Sequence, residues 1–249
     1  MSDEAPVVEL RDVTKAFGPK RVLDDVCLTV ARGHGVCILG RSGTGKSVTL
    51  KHIVGLVKPD AGRVFVEGRD ITDMPIAALT DVRKRIGFLF QNAALFDSIS
   101  VGENVAFPLR RHTRLDDGAI RSRARELLGQ VGLGGEYNTM PADLSGGMRK
   151  RAGLARALAL EPAILLADEP SAGLDPVTAA EIDALLVDLK RRSNTTMVVV
   201  THNIPSARAI ADQFLFLHEG RVLERGSAED LDRSRSPLVR EFMRAQGAG

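Results

Sequence analysis

The sequence predicts an α/β fold with a mostly parallel core sheet, an N-terminal antiparallel β region and an inserted α-helical subdomain. Three observations support this prediction. Four short apolar runs end abruptly in polar residues, as strands buried on both faces of a parallel sheet do. Apolar and polar side chains alternate near the N-terminus, which favours strands with one covered face. Between about residues 92 and 160, strand patterns give way to an arginine-rich helical pattern.

Alternation predicts the first, second and fourth strands. Unbroken apolar runs predict the third, fifth, sixth and seventh strands. A Glu219-Gly220 turn joins the last two strands as a hairpin. In chain order the predicted strands lie at 7–17, 22–30, 36–39, 63–68, 86–90, 164–167, 197–200, 214–217 and 221–223. Helical patterns predict helices at 46–56, 119–128, 147–160, 176–191 and 230–249.

Size and composition limit the classes of protein to consider. The chain has 249 residues, enough for one substantial core or a core with a subdomain, but hardly for two independent domains. Its formal net charge is only +2, so no overall field attracts nucleic acid or anionic lipid. We therefore expect a globular protein that does not bind nucleic acid.

The N-terminal residues Met1–Pro6 are acidic and polar, which argues against an ordinary signal peptide. No apolar stretch approaches the roughly 18 residues that a membrane span requires. We expect a cytoplasmic chain whose membrane association depends on a partner. Cys27 and Cys37, the two cysteines, lie in strand patterns without metal-ligand spacing, and we expect both to be buried, reduced thiols.

The four buried runs indicate a ligand site. They end, respectively, at Gly40, Gln91, the Asp168-Glu169 pair and Thr201-His202. In open parallel sheets, ligands bind beyond the carboxyl ends of the strands, so these polar ends are expected to converge on one crevice. The sequence therefore predicts a nucleotide site there.

The segment from Gly40 to Ser47 fits the phosphate-loop pattern GxxxxGK[ST], and it stands between a predicted strand and a predicted helix, as the motif requires. The residues expected to bind ATP are Gly40, Arg41, Ser42, Gly43, Thr44, Gly45, Lys46 and Ser47. The glycines let backbone amides approach phosphate, and the helix N-terminus favours an anion. Lys46 would reach the β- and γ-phosphates, and the Ser47 hydroxyl would ligate Mg²⁺.

Two further motifs indicate phosphate chemistry when they are considered together with the phosphate loop. Asp168 at a strand end suits Mg²⁺ coordination, and its neighbour Glu169 could activate a water molecule as general base. Outside this context, an acidic pair after a strand is usually the solvated start of a loop. Ser145 is a good N-cap, and Gly146 and Gly147 leave the following helix N-terminus open to a second anion.

The order of these motifs resembles that of the ATP-binding-cassette (ABC) ATPases over nearly the whole chain. The resemblance rests on the phosphate loop, Gln91, Leu144–Gly147, Asp168-Glu169, Ser171–Asp175 and His202. It implies a P-loop NTPase fold with a nucleotide-binding core at 1–91 and 161–229. It further implies a helical subdomain at 92–160, followed by a C-terminal helical tail at 230–249.

The resemblance also implies roles for single residues. Phe17 is similar to the aromatic residue that stacks on adenine, and Gln91 to the residue that links Mg²⁺ and the attacking water to the transporter partner. Glu169 is similar to the catalytic base, His202 to the γ-phosphate sensor, and Asp175 to the aspartate of the D-loop. On their own, His202 and Phe17 suggest only a strand-end histidine and a core residue.

The resemblance to the ABC ATPases also implies that two copies enclose two ATP molecules. Each ATP would lie between the phosphate loop of one chain and the Ser145-Gly146-Gly147 segment of the other. The chain departs from the family pattern at Met148, where glutamine is frequent, and at Phe17, where tyrosine is frequent. Phenylalanine still supplies an aromatic face, and Met148 leaves the serine and glycine amides in place. We therefore expect activity to be retained.

Several less specific sequence segments resemble those of the ATPase subunits of MCE-type lipid transporters, the Mla group. They lie at 82–85, 89–96, 103–110, 144–162 and 236–242. This resemblance implies an integral-membrane permease, an MCE-domain lipid-binding protein and a small STAS-domain protein as partners. The expected location is the cytoplasmic face of the inner membrane. The arginine-rich stretch 110–125 is also compatible with a simple solvated face.

The sequence therefore predicts an ATP-hydrolysing transporter subunit for lipid cargo. A nutrient or amino-acid importer would share every catalytic motif, although such ATPases often carry an added regulatory domain, for which 249 residues leave no room. A non-transport ABC protein acting on DNA or ribosomes usually has two cassettes or a coiled-coil insertion. A non-hydrolysing scaffold would not need both Glu169 and His202.

Overall fold

Two β-sheets and nine α-helices make up residues 5–245, the part of the chain that the computed structural model describes. The strands are β1 (Val8–Phe17), β2 (Lys20–Val30), β3 (Gly35–Leu39), β4 (Ala61–Val66), β5 (Arg69–Asp70), β6 (Ile86–Leu89), β7 (Ile164–Asp168), β8 (Thr196–Val200), β9 (Gln213–His218) and β10 (Arg221–Gly226). The helices are α1 (Lys46–Ile53), α2 (Ile76–Lys84), α3 (Val101–His112), α4 (Asp117–Gln130), α5 (Gly146–Ala157), α6 (Pro176–Ser193), α7 (Ile204–Ile210), α8 (Ala228–Asp232) and α9 (Pro237–Ala245).

The larger sheet has six strands in the order β10-β9-β3-β8-β7-β6. Every neighbouring pair is parallel except the β9–β10 hairpin, which the sequence predicts. The register pairs Ile38 of β3 and Asp168 of β7 with Val200 of β8. The carboxyl ends of these three strands therefore lie side by side, and the predicted fold class is confirmed.

The central strands are buried on both faces because their alternate side chains enter different parts of the core. Leu166 and Val198 pack in a cluster with the N-terminal β region and helix α1. Their neighbours Leu165 and Met197 pack on the opposite face with the helical region. Unbroken apolar runs are the sequence pattern that such two-sided burial requires.

The smaller sheet is antiparallel, in the order β2-β1-β4-β5. Val64 and Val66 of β4 are buried while Arg63 is exposed, so the predicted one-sided strand is confirmed. Gly62 has φ +83°, and a Cβ there would lie 2.3 Å from the Asp12 carbonyl oxygen. Only glycine fits where β4 passes this close to β1.

Between β6 and β7 the chain forms helices α3, α4 and α5 and a short 3₁₀ turn at 141–143, and no strand occurs within residues 92–160. These helices share one apolar cluster with the sheet residues Leu165 and Met197. Gly102 of α3 faces Tyr137 so closely that a Cβ would lie 2.4 Å from the ring. The helical region is thus packed directly against one face of the large sheet.

The structure corrects several predictions. Cys37 is buried as expected, but Cys27 is exposed, because it lies on the outward face of β2, where its thiol donates a hydrogen bond to Asp12 Oδ1 at 3.0 Å. Helix α1 ends at Ile53, three residues before Leu56, and Gly55 follows with φ +66°. Helices α2, α3 and α7 and strand β5 were not predicted as elements, although α3 lies within the region 92–160 that was predicted to be helical.

The prediction of one polar helical tail at 230–249 is also wrong in part. The tail forms two helices, α8 and α9, separated at residues 233–236. Leu231, Val239 and Met243 are buried in a cluster with β3, β9 and α7, so the tail belongs to the core. The prediction for residues 246–249, like that for 1–4, lies outside the described residues. Within 5–245, none of the helices has the length and apolar character needed to cross a bilayer.

Candidate functional site

The loop from Gly40 to Ser47 joins the carboxyl end of β3 to the N-terminus of α1. Gly40 and Gly45 have φ +144° and +103°, and a Cβ at either would lie 2.2 and 2.6 Å, respectively, from the carbonyl oxygens of Leu217 and Val22. Gly43 also has positive φ, +79°, but faces open space. The loop therefore depends on glycine at two positions for close packing.

Lys46 lies within this loop. Its side chain is 8% exposed, and its ammonium donates hydrogen bonds to the carbonyl oxygens of Gly40 at 2.7 Å and Arg41 at 2.9 Å. Burial lowers the pKa of Lys46, while Glu169 and Asp168 act in the opposite direction. A cation held by loop carbonyls at this position can exchange those contacts for the oxygens of a bound anion.

Ser47 at the start of α1 is in contact with Asp168 at the end of β7. The Ser47 hydroxyl donates a hydrogen bond to Asp168 Oδ1 at 2.9 Å. Asp168 is 8% exposed, and burial raises its pKa although the Ser47 hydrogen bond opposes that change. A hydroxyl and a carboxylate in contact are oxygen donors of the kind that Mg²⁺ prefers.

Glu169 and His202 form a second pair at the ends of β7 and β8. His202 Nδ1 lies 2.9 Å from Glu169 Oε1, and their side chains are 53% and 12% exposed. Glu169 has φ +50°, an uncommon conformation for a non-glycine residue. Its second oxygen, Oε2, is buried without a hydrogen-bond partner among the described residues. This carboxylate therefore retains an acceptor oxygen that has no partner within residues 5–245.

Lys150 is a site residue that the sequence reasoning missed. Its side chain is 6% exposed, and its ammonium donates a hydrogen bond to the backbone oxygen of Glu169 at 2.7 Å. Burial lowers its pKa, while Glu169 and Asp168 oppose the change. Helix α5 thus fixes the backbone at Glu169. The only signal in the sequence was a lysine three residues after Gly147, within a run of basic residues.

The Ser145–Gly147 segment begins α5 next to the start of α6. Ser145 is the N-cap, and its hydroxyl accepts a hydrogen bond from the Met148 amide at 3.2 Å, as predicted. A Cβ on Gly147 would lie 2.4 Å from Thr178 Cγ2, so the close approach of the two helices requires glycine there. Asp175 caps α6 by accepting from the Val177 and Thr178 amides. A hydrogen bond with the Thr178 side chain is the main cause that lowers the pKa of Asp175, and the Thr178 amide lowers it further.

Phe17 and Gln91 lie at the margins of this arrangement. Phe17 is 50% exposed at the end of β1, which is not the environment of a core residue. Its ring lies 5.5 Å from the Lys15 ammonium, near the β2 residues that touch the phosphate loop. Gln91 is exposed just beyond β6, one strand away from Asp168, and its side chain forms no hydrogen bond within residues 5–245.

The strand ends therefore bring Lys46, Ser47, Asp168, Glu169 and His202 to one edge of the large sheet. Within the described residues, no group of three or more histidine, cysteine or acidic side chains could hold a metal by itself. A cation at Ser47 and Asp168 would need further ligands from a bound anion such as a polyphosphate. The arrangement fits a cleft that receives phosphate and presents a carboxylate to water.

Comparison with known proteins agrees with this chemistry. A family model described as "ABC transporter" matches residues 23–172. The chain is 43% identical over 242 residues to the "Probable ribonucleotide transport ATP-binding protein mkl" of Mycobacterium tuberculosis, covering 97% of this chain and 67% of that protein. It is 41% identical over 239 residues to the "Intermembrane phospholipid transport system ATP-binding protein MlaF" of Escherichia coli, covering 96% of this chain and 89% of MlaF.

Solved structures give the same result. A dimeric post-hydrolysis state of the ATP-binding cassette MJ0796 bound to ADP and Pi superposes with a TM-score of 0.83. It is 37% identical and covers 88% of this chain and 98% of that one.

The chain is also 43% identical over 222 residues to the methionine import ATP-binding protein MetN of Brucella abortus, covering 89% of this chain and 60% of MetN.

Proposed function

Because this chain belongs to the ABC transporter family, as an ATP-binding ATPase domain, we propose that it powers phospholipid transport of the MCE/Mla type through a separate permease. The observation that carries the proposal is the convergence of Lys46, the Ser47–Asp168 pair and the Glu169–His202 pair at one sheet edge. The phospholipid cargo is supported by 41% identity to MlaF over 96% of the chain.

In this proposal, residues 40–47 wrap the phosphates of ATP, and Lys46 transfers its hydrogen bonds from loop carbonyls to phosphate oxygens. Phe17 stacks on the adenine. Glu169 orients and deprotonates the attacking water through its unpartnered Oε2, and His202 holds the Glu169 carboxylate in place and contacts the terminal phosphate. Hydrolysis then depends mainly on positioning and on electrostatic stabilisation of the transferred phosphoryl group.

The residues present fit Mg²⁺ bound together with nucleotide. Ser47, Asp168 and Gln91 would hold it, with phosphate oxygens as the remaining ligands. When bound, the ion would offset negative charge on the phosphates. The buried Asp168 carboxylate, already in contact with the Ser47 hydroxyl, supports this assignment, while Gln91 would have to move toward the site.

Two copies of the chain complete each site. The Ser145–Gly147 segment of one copy would cover ATP held in the phosphate loop of the other, with Asp175 at the junction. The dimeric state of the MJ0796 cassette, which is 37% identical, supports this proposal. At the N-terminus of α5, the amides of Gly146 and Gly147 donate no hydrogen bond within residues 5–245, and such a helix end is the kind of surface that binds phosphate oxygens.

The permease would bind in a groove of about 570 Å³ between Phe88 and Phe90 on one side and Phe96 and Phe107 on the other. The first two rings stack at 4.1 Å, and the other two lie 5.1 Å apart. Phe96 and Phe107 are about half exposed, which suits an apolar helix from a membrane subunit. The chain would thereby lie on the cytoplasmic side of the inner membrane, with an MCE-domain protein and a STAS-domain protein as further partners.

A second candidate cargo is a ribonucleotide, because the mkl protein, which is 43% identical to this chain, is named as a probable ribonucleotide transport protein. The methionine importer provides a third at the same identity over a shorter span. We favour phospholipid because MlaF aligns over most of both proteins, whereas the match to MetN covers 60% of that protein.

The test is to purify the tagged chain with its membrane partner from detergent-solubilised membranes and measure phosphate release. Phospholipid, ribonucleotides and methionine are added in turn, and bound lipid is identified by mass spectrometry. We expect ATPase activity that phospholipid changes and the other two compounds do not. Stimulation by ribonucleotide or methionine alone would contradict the phospholipid assignment.

The matched control is Glu169→Gln, which keeps the shape of the side chain and removes its charge. This variant should bind ATP but release phosphate at least about 100-fold more slowly, since a positioned general base contributes roughly 10²- to 10⁴-fold. Normal phosphate release by Glu169→Gln would remove Glu169 from the proposed role.

A further inference from the structure

A second cavity, of about 260 Å³, lies between the phosphate loop and the C-terminal helix α9. Its walls come from loop residues 40–42, from His202, and from Leu238, Glu241 and Phe242 of α9. None of the nucleotide-binding motifs in the sequence lies in α9. The structure nevertheless brings this helix beside two of the segments proposed to surround the terminal phosphates of ATP.

Helix α9 has two distinct faces. Val239 and Met243, four residues apart, are buried against β3, β9 and α7. The ring of Phe242 meets Phe216 edge to face at 5.0 Å and 82°. Residues 238, 241 and 242 lie on the side that faces the cavity. Because β3 leads into the phosphate loop and α7 follows His202, α9 is packed on the elements that carry both.

Hydrogen bonds and an ion pair hold the segment before α9 against the rest of the protein. Ser234 is 3% exposed, its hydroxyl donates a hydrogen bond to the Glu224 carboxylate, and its backbone oxygen accepts from the Arg240 guanidinium. Arg208 and Asp232 form an ion pair at 2.7 Å. These contacts set the position of α9, so the side chain of Glu241 is held at the cavity by a well-anchored helix.

Glu241 places a carboxylate on an exposed face of α9, where it lines the cavity together with the phosphate-loop residue Arg41. Within residues 5–245, no cationic side chain forms an ion pair with it. A negative charge facing a site for a polyphosphate repels the ligand, and water between them weakens the repulsion without removing it.

We propose that Glu241 of α9 sets the nucleotide affinity of the site, by repelling the terminal phosphate of the bound nucleotide across this cavity. The inference rests on the proposed function, because it requires a nucleotide in the phosphate loop. It makes Glu241 a residue that lowers affinity, in contrast to the loop residues that raise it. Because His202, which we propose contacts the terminal phosphate, lines the same cavity as Glu241, ATP is penalised more than ADP.

The test uses the full chain with Glu169→Gln, which prevents turnover, and compares it with Glu169→Gln/Glu241→Gln. Dissociation constants for ATP and ADP are measured by calorimetry with Mg²⁺ at low and high salt. We expect Glu241→Gln to tighten ATP binding about 3- to 5-fold in low salt and less than about 2-fold at 0.5 M salt, because salt screens exposed charges. The gain for ADP should be smaller.

The control is Glu229→Gln on α8, which removes the same charge from a residue that does not line the cavity. It should leave both dissociation constants unchanged. Equal ATP affinity with and without the Glu241 charge, or a gain that salt does not reduce, would overturn the inference while leaving the proposed function intact. Failure of the Glu169→Gln protein to bind ATP would overturn both.

Discussion

Lys46 shows how the site is prepared for an anion before one binds. Its ammonium is largely removed from water, and its hydrogen-bond partners within residues 5–245 are two backbone carbonyls, at 2.7 and 2.9 Å. Burial lowers its pKa, which means that the charged form is costly in this position without an anionic partner. A phosphate oxygen is a stronger acceptor for an ammonium than a neutral carbonyl.

We therefore predict that Lys46→Ala weakens ATP binding about 10- to 100-fold, since a hydrogen bond to a charged group contributes about 1.5–3 kcal/mol. Calorimetric titration with ATP and Mg²⁺ measures the change. Lys58→Ala, which removes the same charge from an exposed position outside the loop and α1, is the matched control and should bind nearly as the wild type does. Equal affinities for the two variants would count against the role of Lys46.

His52 predicts a pH dependence of stability. It is 1% exposed, its Nδ1 donates to the Val48 carbonyl at 2.7 Å, and its Nε2 is buried without a partner among the described residues. Burial lowers the pKa of His52, with the Val48 hydrogen bond opposing the change. The folded protein therefore resists a proton that the unfolded chain accepts below about pH 6.5.

Because the folded-state pKa is depressed, the wild type keeps its full stability above about pH 6.5 and loses part of it as the pH falls toward the folded-state pKa. The loss attributable to His52 is at most about 1.4 kcal/mol per pH unit. His52→Gln should lack it. Urea unfolding of both proteins at several pH values measures the difference, and parallel pH curves would contradict the prediction.

At the scale of the elements, the sequence predicts the strands best. The runs that became β3, β7 and β8 are buried on both faces, so their patterns depend little on what packs against them. The short helices α2 and α7 were missed because seven to nine residues hold too few turns for a clear period. Cys27 was misplaced because strand residues alternate in direction, and the sequence does not show which face is covered.

The sequence predicted the part of the candidate site that lies in local motifs, but not the part that depends on helix packing. Lys46, Ser47, Asp168 and Glu169 follow from local motifs at strand ends, and parallel pairing brings them together. Lys150 and Glu241 could not be found in this way, because their positions depend on how α5 and α9 pack on the sheet. Tertiary contacts between distant segments leave no local pattern in the sequence.

Helices α6 and α7 are joined by a buried polar contact that makes a separate prediction. Ser206 Oγ donates to Asp183 Oδ2 and lies 3.2 Å from the Ser171 hydroxyl, which links both helices to the loop after Glu169. Asp183 Oδ1 has no partner within the described residues, and burial raises the pKa of this carboxyl.

Ser206→Ala should destabilise the protein by about 1–3 kcal/mol, because it leaves a buried carboxyl without its donor. Adding Asp183→Val should recover part of that loss, since removing both polar partners is less costly than removing one. Guanidinium unfolding of the wild type, both single variants and the double variant measures the coupling. Simply additive costs would show that the contact does not stabilise the pair of helices.

At the scale of the whole molecule, the two helix N-termini that we propose bind phosphate, those of α1 and α5, lie in different places in one chain. The phosphate loop lies at the ends of β3 and β7, whereas Ser145 begins α5 beside Thr178 of α6. In residues 5–245 no hydrogen bond joins the Ser145–Gly147 segment to the loop. If each ATP needs both, as proposed, a second copy of the chain must supply one of them, and one defective chain can complement another.

We predict that Lys46→Ala and Ser145→Arg, each inactive alone, regain activity when mixed. The mixed pair has one intact site, made from the phosphate loop of the Ser145→Arg chain and the serine of the Lys46→Ala chain. Random pairing with independent sites should restore about a quarter of the wild-type rate of phosphate release.

The control mixes Lys46→Ala with the double variant Lys46→Ala/Ser145→Arg, which offers no intact loop and should remain inactive. Differently tagged chains establish that mixed pairs form. If mixed pairs form but release no phosphate, or if Ser145→Arg alone is fully active, then each site is complete within one chain. The arrangement with two shared sites would then be wrong, although the phosphate loop and Glu169 could keep their proposed roles.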